Sequence, residues 1–329
     1  MIATRPVLEV KDLSVEYASD AGPVRAVDQV SLDVAPGEFI GIVGESGCGK
    51  STFLFAVARL LSPPARVVSG SVRLQGRDLL AMNEAALREI RWRDYSVVMQ
   101  SAMNALNPVL TVGAQLQDTI AAHEPISARE THQRSGSLLR LVGIDPIHLK
   151  SFPHQLSGGM RQRAMIAMAL VFTPQLVIMD EPTSALDVVA QRSLMLQIKE
   201  LQRKIGFAAL FVTHDMSLVS HFSDRLAVMY AGQIVEQGTL SQIVRAPIHP
   251  YARGLLASTV HGAKRGQRLE TIPGTPPSLD KAPSNCSFAP RCGFAQPRCT
   301  EQLPPNVQIA PERVARCILA EPVETAIAT

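Results

Sequence analysis

Gly44-Glu45-Ser46-Gly47-Cys48-Gly49-Lys50-Ser51 decides the fold. The stretch fits G-x-x-x-x-G-K-[ST], and it stands between a nearly continuous apolar run at residues 39–43 and a helical stretch at residues 51–61. Strand, glycine loop and helix in that order form the context in which this motif cradles phosphate groups. The glycines let successive backbone N–H groups turn toward an anion, and the positive end of the following helix adds to the attraction. Gly44, Ser46, Gly47, Gly49 and Thr52 therefore join Lys50, whose ammonium is expected to reach the β- and γ-phosphates of a nucleotide. Ser51 offers a hydroxyl to Mg²⁺, a hard cation that takes few protein ligands. Cys48 occupies a variable position of the motif, so no chemistry is expected of its thiol. The loop alone leaves kinases and GTPases open.

Further along, Leu176-Val177-Ile178-Met179-Asp180-Glu181 reads as an apolar strand ending in two acids. Beside a phosphate loop, the first carboxylate helps hold Mg²⁺ and the second orients or deprotonates an attacking water. Asp180 and Glu181 take those places here. Residues 188–204 are helical and residues 208–213 form another buried strand, giving a βαβ unit with parallel strands. His214 follows that strand; alone it reads as a capping histidine, but its place at a strand end of the same sheet makes it a site candidate. Residues 7–17 and 24–34 alternate apolar and polar, with a turn at Ala35-Pro36-Gly37, so the chain opens with β structure. Between residues 95 and 143 the pattern is mostly helical, with Leu116, Ile120, Leu138, Leu139 and Val142 as buried positions.

Leu156-Ser157-Gly158-Gly159-Met160-Arg161-Gln162 is a serine and two glycines opening a long apolar helix, a second anion site made of N–H groups and helix dipole. One nucleotide rarely needs two such helix ends from a single domain. At this point the chain resembles the ATP-binding-cassette (ABC) ATPases, whose L-S-G-G-Q signature faces the nucleotide held by a partner's phosphate loop; Met160 stands where Gln is usual. The resemblance covers about residues 7–245 and implies an α/β fold of the P-loop NTPase ABC-ATPase type. It would have an antiparallel β subdomain, a helical subdomain at about residues 100–172 and a Pro/Cys-rich C-terminal extension. It further implies that Tyr17 stacks on adenine, that Gln100 senses Mg²⁺ and water, and that Ser184-Ala185-Leu186-Asp187 is the D-loop. His214 would be the switch histidine contacting the γ-phosphate. Two cassettes would close head to tail over two ATPs, each site taking Lys50 and Glu181 from one chain and Ser157, Gly158 and Gly159 from the other.

Composition shifts near residue 245, since twelve of the 23 prolines lie beyond it, and domains of residues 1–245 and 246–329 are expected. His249-Pro250-Tyr251-Ala252-Arg253-Gly254-Leu255, Ile272-Pro273-Gly274-Thr275-Pro276-Pro277 and Cys286-Ser287-Phe288-Ala289-Pro290-Arg291-Cys292 resemble the C-terminal extension of oligopeptide and dipeptide importer ATPases, which nickel importers share. Ser101-Ala102-Met103-Asn104-Ala105-Leu106-Asn107-Pro108 resembles that branch too, where it meets the permease. Four of the five cysteines, Cys286, Cys292, Cys299 and Cys317, crowd into this tail. Their gaps of five, six and seventeen residues match neither a zinc ribbon nor the usual ferredoxin runs, so from spacing a zinc ion, an iron–sulfur cluster and unligated thiols stay open. The resemblance implies a [4Fe–4S] centre with a structural role. It also implies two membrane permease subunits, a second ABC ATPase subunit and, indirectly, an extracytoplasmic solute-binding protein as partners.

At 329 residues the chain exceeds one average domain, and 46% apolar with 19% charged residues is globular composition. A net charge of +3, from 32 basic and 29 acidic residues without a single-sign block, argues against a nucleic-acid partner. No apolar run approaches the roughly 20 residues that span a bilayer. The first ten residues carry Glu9 and lack a secretory pattern. The expectation is a peripheral protein on the cytoplasmic face of the inner or plasma membrane. A soluble, non-transport ABC ATPase is the rival; such chains carry tandem cassettes or long coiled-coil insertions, and this one has a single motif set. A catalytically silent subunit conflicts with the joint presence of Lys50 and Glu181.

Overall fold

The computed structural model describes residues 5–20, 22–100, 105–184, 186–258, 271–280 and 282–320. In chain order its strands are β1 Leu8–Tyr17, β2 Val24–Val34, β3 Phe39–Val43, β4 Ala65–Leu74, β5 Arg77–Asp78, β6 Tyr95–Val98, β7 Leu176–Asp180, β8 Ala208–Thr213, β9 Arg225–Tyr230, β10 Gln233–Thr239, β11 Asn306–Ala310 and β12 Arg313–Arg316. The chain divides into two compact units, one of Leu8–Asp33, Phe39–Leu80 and Val212–Thr329, the other of Met1–Val7, Val34–Glu38 and Ala81–Phe211.

In the first unit, β2, β1, β4 and β5 follow one another in an antiparallel sheet. The long β1–β4 pair runs from Leu8 opposite Leu74 to Tyr17 opposite Ala65. Leu8 and Val10 point to the interior by alternation; a bulge after Lys11, with Asp12 at φ 47°, shifts the phase so that Leu13 and Val15 are buried as well, together with Val72 and Leu74. The same unit holds the strand series β11-β12-β10-β9-β3. There β3 lies parallel to β9, with Ile40 opposite Arg225 and Val43 opposite Val228. Both strands are buried along their whole length, which is why β3 reads as an unbroken apolar run rather than an alternating one.

The last two strands come from the tail. β12 pairs antiparallel with β10, and β11 with β12. What fixes this hairpin is the carboxylate of Glu236 on β10, which is fully buried. It accepts from the Arg313 guanidinium at 2.7 Å, from the Ile248 N–H at 3.0 Å and from the His249 N–H at 2.8 Å. A buried charge survives only when its lone pairs are met in this way. His249 then caps the helix Pro250–Ala257, its Nδ1 accepting from the Tyr251 N–H at 3.1 Å. Burial holds that imidazole down to about 3, so it stays neutral and remains an acceptor.

In the second unit β6 runs parallel to β7, with Tyr95 opposite Leu176 and Val98 opposite Met179. Helices Val112–Ala121, Ala128–Leu141 and Gly158–Ala169 pack together. Leu116, Ile120, Leu138, Leu139 and Val142 are all interior. Thr111 and Ser127 cap two of these helices, Ser127 forming a reciprocal box with Glu130.

Three local readings of the sequence change. Residues 95–98, read as the start of the helical stretch, form a strand, because four residues are too few to show a period that separates strand from helix. The helix expected over residues 51–61 ends at Val57, and Arg59 already has a left-handed φ of 56°. The tail, expected only as a Pro/Cys-rich extension, supplies the helix Pro250–Ala257 and the β11–β12 hairpin. Among the described residues no helix is long and apolar enough to cross a membrane.

Glu236→Ala would leave Arg313 buried without its counter-charge. It is expected to lower unfolding stability by about 3–5 kcal/mol, read by urea denaturation followed by circular dichroism.

Candidate functional site

The glycine loop lies in the first unit, between β3 and the helix Lys50–Val57. Its curvature is enforced by close backbone packing. A Cβ on Gly44 would sit 2.1 Å from the carbonyl oxygen of Met229, and one on Gly49 would sit 2.2 Å from that of Ala26. Gly49 also has φ 104°, a conformation that side chains oppose, and occupies the helix N-cap. With glycine at the cap position, no side chain of the N-cap residue covers this helix end. Lys50 is buried and curls back, donating from Nζ to the carbonyl oxygens of Gly44 and Glu45, each at 2.8 Å. The loop thus offers a concave backbone surface, a fixed ammonium and a helix N-terminus, a combination that fits a polyphosphate. Cys48 is buried behind it; desolvation pushes its thiol up despite the neighbouring Lys50. Ser46 and Gly47 are exposed on the rim. The Tyr17 hydroxyl lies 3.1 Å from the Thr52 hydroxyl, joining the aromatic ring to the first turn of the helix.

One partner of the loop had no signal in the sequence. Arg291, 246 residues beyond Glu45, donates to both oxygens of its carboxylate at 2.8 and 2.9 Å. That ion pair holds the guanidinium above even its usual high range. The Glu45 N–H in turn donates to the Tyr251 hydroxyl at 2.8 Å. Residues so far apart meet only because the tail folds back on its own unit.

The carboxylate candidates belong to the second unit. Asp180 ends β7 at 1% exposure. Glu181 follows with φ 44°, rare for a residue with a side chain. The Gln100 amide donates to the Glu181 carboxylate at 2.9 Å, so the sequence-named pair is in direct contact. Beyond Glu181 the chain turns, Ser184 N–H to Glu181 O at 3.2 Å and Leu186 N–H to Thr183 O at 3.0 Å. Asp187 caps the helix Val188–Ile205. Ser157 caps Gly158–Ala169 by accepting from the Met160 N–H at 3.2 Å, while added Cβ atoms on Gly158 and Gly159 would meet nothing closer than 3.8 Å. That helix end is open. The buried amide of Gln162 donates to the Pro182 carbonyl, linking the signature helix to the segment after Glu181. Ala185 and residues 101–104 lie outside the described residues. His214 follows β8 and is exposed, and Asp215 caps the next helix, Met216–Phe222.

Cys286, Cys292, Cys299 and Cys317 line one small, largely apolar pocket. Burial pushes the thiols of Cys286, Cys292 and Cys317 up, which favours their neutral form. Among the described residues no group of three or more His, Cys, Asp or Glu is arranged to hold a metal ion. The iron–sulfur centre expected from the resemblance is therefore without support in this geometry.

Comparison with known proteins finds a family match over each part of the chain. Residues 27–184 match the ABC transporter family, and residues 235–299 match the C-terminal region of oligopeptide/dipeptide transporters. A Brucella melitensis chain provisionally named peptide import ATP-binding protein is 40% identical over 328 residues, covering 99% of this chain and 98% of the relative. A Sinorhizobium fredii chain provisionally named peptide ABC transporter ATP-binding protein is 43% identical over 316 residues, 94% of each chain. Among solved structures, the dimeric ATP-binding cassette MJ0796 bound to ADP and Pi superposes with a TM-score of 0.64 at 28% identity, over 71% of this chain and 98% of that one. CbiO1 of Clostridium perfringens gives 0.63 at 27% identity, over 73% and 91%. The fold is thus that of an ABC ATPase cassette. The chain belongs to the family of ABC transporter ATP-binding proteins, and its reaction is the hydrolysis of ATP.

The loop geometry separates two glycines that look alike in the motif. Gly47→Ala meets open space and carries only left-handed strain, about 1–2 kcal/mol, whereas Gly44→Ala forces a backbone shift and is expected to cost about 3 kcal/mol. Denaturant midpoints of the two variants measure the difference.

Proposed function

We propose that this chain is the ATP-hydrolysing subunit that energises a peptide importer from the cytoplasmic face of the membrane. The observation that carries the reading is the tail: residues 235–299 match the oligopeptide/dipeptide transporter C-terminal region. Two permease subunits and a second cassette would complete the machine, with an extracytoplasmic binding protein acting through the permeases. In this reading residues 1–245 are the cassette and residues 246–329 its importer-specific extension.

Catalysis in such a site is mostly positioning and charge neutralisation. Lys50 and the loop N–H groups would stabilise charge on the phosphates; Ser51, and in the other unit Asp180 and Gln100, are the residues that would serve as ligands of Mg²⁺, which would neutralise further charge. Glu181 accepts the proton of the attacking water, and its contact with Gln100 supports that role by orienting the carboxylate. His214 contacts the γ-phosphate. The Tyr17 ring lies under adenine, oriented by its hydroxyl contact with Thr52. Ser157, Gly158 and Gly159 present an open helix end to the nucleotide of a second cassette.

The [4Fe–4S] centre that the resemblance implies would use the four tail thiols, which line one pocket but are not arranged to hold a metal ion.

In proteoliposomes with permeases and binding protein, peptide is expected to raise the ATPase rate, and Glu181→Gln to lower kcat about a hundredfold or more. Stimulation by a nickel salt but not by peptide would overturn the peptide assignment. Iron and a broad visible absorption in anaerobically purified protein, both weakened by Cys292→Ser, would restore the cluster; colourless, metal-free protein with full ATPase activity removes it.

A further inference from the structure

Glu45 occupies the first variable position of the glycine loop, and every polar group it has is engaged. Its carbonyl oxygen accepts from Lys50 Nζ, its N–H donates to the Tyr251 hydroxyl, and its carboxylate receives the Arg291 fork. Arg291 is itself fixed. Its Nε donates to the Pro273 carbonyl at 2.7 Å and its Nη1 to the Tyr230 hydroxyl at 3.3 Å. Its guanidinium lies 5.7 Å from the Tyr230 ring and 5.9 Å from that of Phe288. Those rings interlock with Tyr251, with centroid separations of 4.5 Å for Tyr230–Tyr251 and 5.5 Å for Tyr251–Phe288.

A carboxylate on a loop that binds polyphosphate is electrostatically misplaced. Glu45 is joined through its own carbonyl to the Lys50 ammonium, so its charge lies within about a Debye length, roughly 10 Å at 0.1 M salt, of the place where phosphates collect. The pair is mostly dehydrated, with side-chain exposures of 5% for Arg291 and 24% for Glu45, and water screens it little.

We propose that Arg291 is a positioning residue for nucleotide binding: by neutralising Glu45 from the tail, it lets the loop receive a polyphosphate without a fixed negative charge beside it. The proposal rests on the reading of residues 44–51 as the nucleotide site. In it the tail acts on ATP affinity, a function distinct from any contact with membrane subunits.

Equilibrium binding of MgATP and MgADP to the full chain tests it. Arg291→Gln is expected to raise both Kd values about tenfold, with the defect shrinking as salt is raised. Glu45→Gln is expected to bind no more weakly than wild type, and the double variant to return to within about twofold of wild type. A purely structural role for Arg291 would not be rescued by removing the carboxylate. Wild-type affinity in Arg291→Gln, or a defect that persists in the double variant, overturns the proposal. Should Arg291→Gln fail to fold, weakened binding by Glu45→Gln alone overturns it, and unweakened binding supports it. Wild-type protein that binds no nucleotide, or binding unaffected by Lys50→Ala, strikes the reading of the site instead.

Discussion

A loop that binds an anion through its N–H groups cannot spend all of those groups on its own hydrogen bonds, so few are left to hold its shape. Much of its shape has to be imposed by what surrounds it, and the rest of the first unit answers that requirement. Met229 on β9 and Ala26 on β2 bring carbonyl oxygens so close to Gly44 and Gly49 that only glycine fits. Lys50 closes the loop from within by binding two of its carbonyls. The parallel pairing of β3 with β9, both wholly buried, makes this support stiff.

The second unit meets a different demand, that of aiming a carboxylate. Glu181 is placed one residue past a buried strand in a left-handed conformation and is gripped by Gln100. Strain of this kind persists only where the surroundings over-determine it. Here Gln162 and Gln191 hold the carbonyls of Pro182 and Thr183 just beyond. The strand, the turn and the signature helix are thereby tied into one piece of backbone.

Much of this was legible beforehand because the decisive signals are local. The glycine loop, the apolar strand ending in Asp180-Glu181 and the Ser157 helix cap each lie within a few residues, and each was readable from residue type and order. The opening β structure and the buried positions on the helices Val112–Ala121 and Ala128–Leu141 followed from their periods, and the antiparallel arrangement from the resemblance. What escaped depends on long-range pairing. β6 is too short to show a period, and the β11–β12 hairpin is defined by its partner β10 rather than by its own sequence. The contact of Arg291 with Glu45 escaped for the same reason. Nothing in a proline-rich segment announces that one of its arginines will be buried against a loop 246 positions earlier. The cysteine cluster was half legible: the four residues do converge, but no three of them are arranged to hold a metal ion.

The tail hairpin and the Arg291 fork bear on how freely such extensions can be exchanged among relatives. A tail is usually regarded as a module that evolution or an engineer can transplant across a linker. This one adds two strands beyond β10, a counter-ion to Glu236 and another to Glu45. A graft that carries the arginines to a cassette lacking the two glutamates, or the reverse, would bury unmatched charge at both junctions. Residues 45, 236, 291 and 313 are therefore obliged to travel together, and the natural unit of inheritance is the whole chain.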